Sequence, residues 1–151
     1  MLSSDRTESI TSPGDASGAI TVGAIDKNYE LAQFSSRGSK HSGNPLNGKP
    51  NLVGPGVSII APRSRFSSYP KHSNPYYASL SGTSMASPVV AGLSARPLGH
   101  VRESSRKRRA TMVVKALLES SSNRHKNLSP RQPYEIGRGI PDGSKALDTL
   151  I

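Results

Sequence analysis

Ser84 is the residue whose type and surroundings are best suited to chemistry. It lies in the stretch SGTSMASPVVAG, residues 81–92, where a predicted strand passes into a predicted helix. A serine at a helix start commonly caps the helix by accepting a hydrogen bond from the backbone. It can also act as a nucleophile, because a backbone N–H that the helix does not use is available to an oxyanion and the helix dipole favours negative charge there. The residue types alone leave both roles of Ser84 open.

A nucleophilic serine needs a general base, and histidine is the usual one. The chain has four histidines, His41, His72, His100 and His125. No motif around them predicts a position beside Ser84. Each is therefore predicted to be a histidine of a surface loop rather than a general base.

The elements that position Ser84 can be predicted from apolar runs. Residues 19–25 and 57–62 are predicted strands, and residues 76–82 form a third strand that leads to the serine. Residues 84–95 are small and apolar on nearly all sides, which predicts a central helix. Apolar strands followed by helices predict an α/β fold in which the three strands form one parallel sheet.

The rest of the chain is divided by composition. Residues 1–18 are predicted to be a loop, residues 19–95 to hold the strands and the nucleophile helix, and residues 110–151 to hold C-terminal helices. Residues 96–109 are a basic interruption, in which Pro97 is predicted to end the central helix early.

The C-terminal helices have their own predicted contacts. The first is expected to bury one stripe, made of Met112, Val113, Ala116 and Leu117. Asp142 is placed to cap the last helix.

The chain is strongly basic, with 20 Lys and Arg against 10 Asp and Glu, a net charge of +10. Much of the excess lies in RESSRKRR, residues 102–109, which carries no aromatic residue on which a base could stack. This run is predicted to be a solvated loop rather than a nucleic-acid site. No apolar run is long enough to cross a membrane, so neither nucleic acid nor membrane is predicted as a partner. The absence of cysteine excludes disulfides and thiolate metal sites.

Several segments resemble one protein family in the order in which that family carries them. GTSMASPVVAG resembles the nucleophile motif of the subtilisin-like serine proteases, or subtilases. The other similar segments are ITVGAID at 20–26, FSSRG at 34–38, KPNLVGPGVSIIAP at 49–62, VKALL at 114–118 and GRGIPDGSKAL at 137–147. The resemblance covers residues ~10–95 and ~110–148 and rests on the collinear set rather than on one motif.

The resemblance implies part of a parallel sheet flanked by helices and the C-terminal half of a catalytic domain. It also implies an endopeptidase that uses a triad of Asp, His and Ser, in the chain order known for the family. By position, Ser84 would be the nucleophile and a backbone oxyanion donor. Ser81, Gly82 and Thr83 would form the edge of the substrate pocket, and the substrate would be a protein or peptide.

The chain departs from the family upstream of its first strand. The family's Asp, His and Asn motifs lie there, and residues 1–18 contain none of them. The chain is therefore expected to be inactive alone and to need an N-terminal half that supplies these groups. The alternative is a non-catalytic remnant of a protease that binds something or has no function. Calcium is possible by resemblance only, with no residue assigned. The first ten residues show no signal peptide, although secretion is the family's habit.

Overall fold

A pair of parallel strands lies at the centre of the fold. The computed structural model describes residues 8–40, 48–69, 73–103, 110–128 and 130–150. Strand β1 pairs in parallel with strand β2, and Val22 lies opposite Leu52. The strands are β1 (Val22–Ile25), β2 (Leu52–Pro55), β3 (Ile59–Pro62) and β4 (Tyr77–Leu80). The helices are α1 (Thr83–Glu103), α2 (Ala110–Ser121), α3 (Pro133–Ile136) and α4 (Gly143–Asp148).

The two faces of the β1–β2 pair are both covered, which explains the apolar strand sequences. One cluster of buried side chains joins the pair to α1 and α2, and its members include Ala24, Leu52, Ala86, Val90 and Leu118. The other cluster joins the pair to the C-terminal segment, and it comprises Ile25, Leu31, Val53, Leu128 and Ile136. Burial on both faces is typical of parallel strands, and the α/β class predicted from the sequence is confirmed.

The prediction of one sheet with three parallel strands is wrong, because these strands pair with other partners. Strand β3 pairs antiparallel with β4 and forms a separate two-stranded sheet. The parallel partner of β1 is instead β2, at residues 52–55, which no predicted strand included. The reason lies in burial, because Leu52 and Val53 are fully buried whereas Ile60 is 55% exposed. A strand with exposed side chains suits the edge of a small antiparallel sheet.

The prediction that Pro97 ends the central helix is also wrong. Helix α1 continues through Pro88 and Pro97 to Glu103. A proline inside a helix removes one hydrogen bond. The ring of Pro97 is fully buried, and its burial offsets that loss. The described part of the predicted basic interruption thus belongs to α1, and residues 104–109 lie outside the described residues.

Helix α2 buries a different stripe from the predicted one. Its buried residues are Val114, Leu118 and Ser121, whereas Met112 is 74% exposed. Apolar side chains occur on several sides of this helix, so the period alone allowed more than one choice of face. The predicted cap is confirmed, because Asp142 Oδ1 accepts a hydrogen bond from the Lys145 N–H at 3.0 Å.

A partly buried polar network around Asn51 fixes the start of β2. Asn51 Oδ1 accepts from the Thr21 N–H at 2.8 Å and from Lys49 Nζ at 3.1 Å. Asn51 Nδ2 donates to Glu119 Oε1 on α2 at 3.0 Å. Burial and then the charge of Lys115 lower the pKa of Lys49, and Glu119 acts in the opposite direction. The Asn51 amide therefore connects an ammonium group with a carboxylate.

We expect Asn51→Asp to lower the free energy of unfolding by ~1–3 kcal/mol at neutral pH. The substitution turns the bond between Nδ2 and Glu119 into a contact of two carboxylates. Glu119→Gln should recover most of the loss in the Asn51→Asp background, because its amide can donate to the new carboxylate. Urea denaturation of the two single variants and the double variant measures this coupling. Equal effects of Glu119→Gln in both backgrounds would contradict it.

Candidate functional site

Ser84 lies in the first turn of α1, where the chain comes out of β4. The helix begins at Thr83, so Gly82 holds the cap position, and its carbonyl accepts from the N–H groups of Met85 and Ala86 at 3.0 and 3.3 Å. The alternative role of Ser84 as the helix cap is therefore wrong. The predicted place of Ser84 at the start of a helix that follows a strand is confirmed.

The polar groups of Ser84 are available. Its side chain is exposed, and within the described residues its hydroxyl makes no hydrogen bond. Its backbone N–H belongs to the first turn, and no acceptor for it occurs among residues 8–40, 48–69, 73–103, 110–128 and 130–150. A hydroxyl and an unused donor thus stand together at the positive end of a helix.

Gly56 holds the start of α1 against the β1–β2 pair. Its N–H donates to the Ile25 carbonyl at 2.9 Å, and its carbonyl accepts from the Gly82 N–H at 2.8 Å. A Cβ at position 56 would lie 2.8 Å from the Gly82 oxygen and 2.8 Å from Ala24 Cβ. No side chain fits there, so a glycine is required at this close approach. The prediction from the sequence missed this residue, although the GPG stretch at 54–56 signalled it.

The three residues before Ser84 make different contacts. Ser81 Oγ accepts a hydrogen bond from the Ser58 N–H at 2.8 Å. This bond supports the backbone of Ser58, which has a φ of 55°. Thr83 contributes its carbonyl to the Ser87 hydroxyl at 3.0 Å. A Cβ on Gly82 would meet its nearest atoms at 3.6 and 3.7 Å, so the described neighbours do not require glycine at that position.

An open cavity of about 450 Å³ adjoins Ser84. This Ser84 cavity is lined by Thr83, Ser84 and Ser87 from α1 and by residues of the segment before and within β1. The latter include the apolar side chains of Ile10, Pro13, Ile20 and Val22. The cavity can receive an apolar group beside the hydroxyl.

Neither described histidine lines the Ser84 cavity. His100 lies on α1, 16 residues after Ser84, which corresponds to about 24 Å along a regular helix. His125 stacks on Tyr29 with 4.3 Å between the ring centroids and lines a different cavity. His41 and His72 lie outside the described residues. The prediction of a loop position is wrong for His100, which is exposed on a helix.

The described residues offer no cluster for a metal ion. No group of three or more His, Cys, Asp or Glu side chains comes together in that part of the chain. We therefore assign no calcium ligand. None of the helices in the described ranges combines the length and the hydropathy that a membrane span requires.

An exposed serine in the first turn of a helix that follows a strand, with an N–H that the described residues leave unbonded, suits a nucleophile with its own oxyanion donor. Comparison with known proteins identifies the family. The family model described as the subtilase family matches residues 2–139, and the chain belongs to this family of serine proteases. The resemblance stated from the sequence is confirmed.

Curated relatives agree with this assignment. The serine protease AprX of Bacillus subtilis (strain 168) is 40% identical over 101 residues, which cover 59% of this chain and 22% of AprX. The subtilisin-like protease SBT6.1 of Arabidopsis thaliana is 35% identical over 148 residues, which cover 93% of this chain and 13% of that protein. The chain thus spans about a fifth or less of the length of these two relatives.

Solved structures show the same fold. The prenylagaramide maturation protease PagA superposes with a TM-score of 0.71 at 22% identity, over 97% of this chain and 48% of PagA. The patellamide maturation protease PatA gives 0.70 at 25% identity, over 96% of this chain and 47% of PatA. The partial subtilase fold predicted from the sequence is confirmed, and the chain spans about half of each structure.

Proposed function

We propose that the chain is the nucleophile-bearing part of a serine endopeptidase that acts on proteins or peptides. The observation that carries the proposal is the position of Ser84, exposed at the start of α1 with a hydroxyl and an N–H that the described residues leave free. Ser84 Oγ bonds to the carbonyl carbon of the substrate, and its proton passes to a base. The C–N bond then breaks, the amine leaves with that proton, and water hydrolyses the acyl-enzyme.

The backbone N–H of Ser84 supports this step. The carbonyl oxygen becomes negative in the tetrahedral intermediate, and a fixed N–H donor stabilises it most in that state. Gly56 keeps the donor in place because it holds the Gly82 turn against β1. Ser81, Gly82 and Thr83 border the substrate in this proposal, and the absence of a side chain at Gly82 allows a substrate backbone to approach.

The proposal includes a second polypeptide segment that supplies the base. Neither His100 nor His125 lines the Ser84 cavity, and none of the described residues that line it is acidic. The family's triad also contains Asp and His, and its oxyanion hole an Asn. An N-terminal subtilase half would bring these three groups to Ser84, in the same chain or as a separate partner.

A non-catalytic remnant is the second candidate. The observation that favours it is that neither described histidine lines the Ser84 cavity. Such a protein would retain the fold and the cavity and would bind peptides without cleaving them. Nucleic acid and membrane surfaces are not proposed as partners.

A fluorophosphonate probe, which reacts with activated serines, tests the proposal. We expect the 151-residue chain alone to react no faster than its Ser84→Ala variant, because an unassisted serine is a weak nucleophile at neutral pH. Addition of an N-terminal subtilase half with Asp, His and Asn should produce labelling of this chain. The labelled residue is identified by mass spectrometry.

Three results distinguish the candidates. Labelling of Ser84 only in the mixture supports the proposal. A stable complex of the two parts without labelling supports the remnant. Rapid labelling of the chain alone, lost in Ser84→Ala, would contradict the need for a second segment, since one of the four histidines would then be the base.

A further inference from the structure

A second cavity, of about 470 Å³, lies further along α1. It begins at Gly92, eight residues after Ser84, or about 12 Å along a regular helix. Its walls come from α1, from residues 123–125 and from the start of α4. Ser84 does not line this cavity. We name it the Arg96 cavity after the arginine that α1 contributes to its lining.

Three basic side chains contribute to the lining of the Arg96 cavity. Arg96, Arg124 and His125 line it, and in the described part of the chain neither arginine forms an ion pair. Arg124 gives one N–H to the Gly137 carbonyl at 3.2 Å, which leaves its other donors for a ligand. Asp142 is the one acidic residue in the described lining, and its Oδ1 already accepts the cap hydrogen bond of α4.

The imidazole of His125 is held in a fixed orientation. It stacks on Tyr29, and its Nδ1 accepts from the Asn127 N–H at 3.3 Å. In the neutral ring this leaves Nε2 to carry the proton and to donate it. The ring therefore adds an oriented donor to the two guanidinium groups.

The remaining lining is apolar and has free volume. Leu93, Ile140 and Pro141 contribute to the wall. A Cβ on Gly143 would lie 2.7 Å from Leu93 Cδ2, so this glycine allows α4 to approach α1 closely and complete the wall. A Cβ on Gly92 would meet nothing within 4 Å, which shows that the cavity is open at that position.

We propose that the Arg96 cavity binds a small organic anion, with one phosphate or carboxylate group on an aromatic or otherwise apolar body. A guanidinium group can donate two N–H bonds to a pair of oxygens of a phosphate or carboxylate group, and the leucine, isoleucine and proline receive the body. The net charge of +10 attracts anions to the chain. This site is separate from the proposed function of Ser84, and its occupation requires no catalysis.

Binding of phenyl phosphate to the 151-residue chain tests the proposal by calorimetry. We expect phenyl phosphate to bind roughly tenfold more tightly than inorganic phosphate, which lacks the ring, and than benzyl alcohol, which lacks the charge. Benzoate shows whether a carboxylate serves equally. In NMR spectra, the ring signals of His125 should shift and those of the other three histidines should not.

Variants of the cavity complete the test. Arg96→Gln and Arg124→Gln should each weaken binding of phenyl phosphate roughly fivefold. Gly92→Leu should abolish binding because the new side chain fills the cavity. Gly99→Leu is the matched control, since a Cβ there also meets nothing within 4 Å and residue 99 does not line the cavity. Equal affinity in Gly92→Leu and the unmodified chain, or equal binding of benzyl alcohol, would overturn the proposal.

Discussion

When this chain is combined with an N-terminal subtilase half, Ser84→Ala is expected to lower the rate of peptide hydrolysis by at least about a thousandfold. The substitution removes the atom that forms the acyl-enzyme and leaves the backbone N–H in place. The substrate should still bind, so the loss falls on kcat rather than on KM. Hydrolysis of a chromogenic peptide by the two-part domain measures both constants.

The matched control is Ser94→Ala on the same helix. Ser94 is half-buried, and its Oγ donates to the Val90 carbonyl at 2.7 Å. Removal of this hydroxyl should leave kcat within roughly twofold, because the contact is local to the helix. A Ser84→Ala domain that cleaves the peptide as fast as the Ser94→Ala domain would exclude Ser84 as the nucleophile.

Gly137→Ala is expected to lower the free energy of unfolding by roughly 3–5 kcal/mol. Gly137 has a φ of 58°, which an L side chain rarely adopts. A Cβ there would lie 2.2 Å from the Asn51 carbonyl oxygen, a contact with rigid backbone that no rotamer can relieve. The variant must therefore separate the C-terminal segment from the start of β2. Urea denaturation followed by circular dichroism measures the loss.

Gly18→Ala serves as the control for this prediction. A Cβ at position 18 would meet nothing within 4 Å, and the residue shows no positive φ. Its stability should therefore stay within about 0.5 kcal/mol of that of the unmodified chain. An unchanged unfolding midpoint for Gly137→Ala would show that the close approach to Asn51 does not exist in solution.

The sequence predicted the elements of the fold better than their pairing. The apolar run of β1, the helix after Ser84 and the cap at Asp142 could be predicted because each depends on neighbouring residues. The partner of β1 could not be predicted, because strand pairing depends on contacts distant in the chain. The continuation of α1 past Pro97 could not be predicted either, since it depends on the burial of the proline ring.

At the candidate site, the sequence predicted the serine and not what holds it. Ser84 was found from its motif and from the strand before it. Gly56 supports it from 28 positions upstream, through a carbonyl bond to the Gly82 N–H. A glycine that only relieves a steric clash has no chemical signature of its own, and the clash becomes visible only once Ala24 and Gly82 are placed. The Asn that would complete the oxyanion hole and the His that would act as the base come from residues outside the Ser84 cavity. Their positions stay a prediction.

The hydrogen bonds between β2 and the C-terminal segment set a limit on folding during synthesis. The Arg138 N–H donates to the Asn51 carbonyl, and the Val53 N–H donates to the Gly139 carbonyl, each at 2.9 Å. The ribosome makes residues 137–139 after β2, α1 and α2, so β2 cannot form these bonds until the C-terminal segment has emerged. During that wait, the buried side chains of β1 and β2 face water. These side chains are therefore exposed to aggregation until the C-terminal segment has been made.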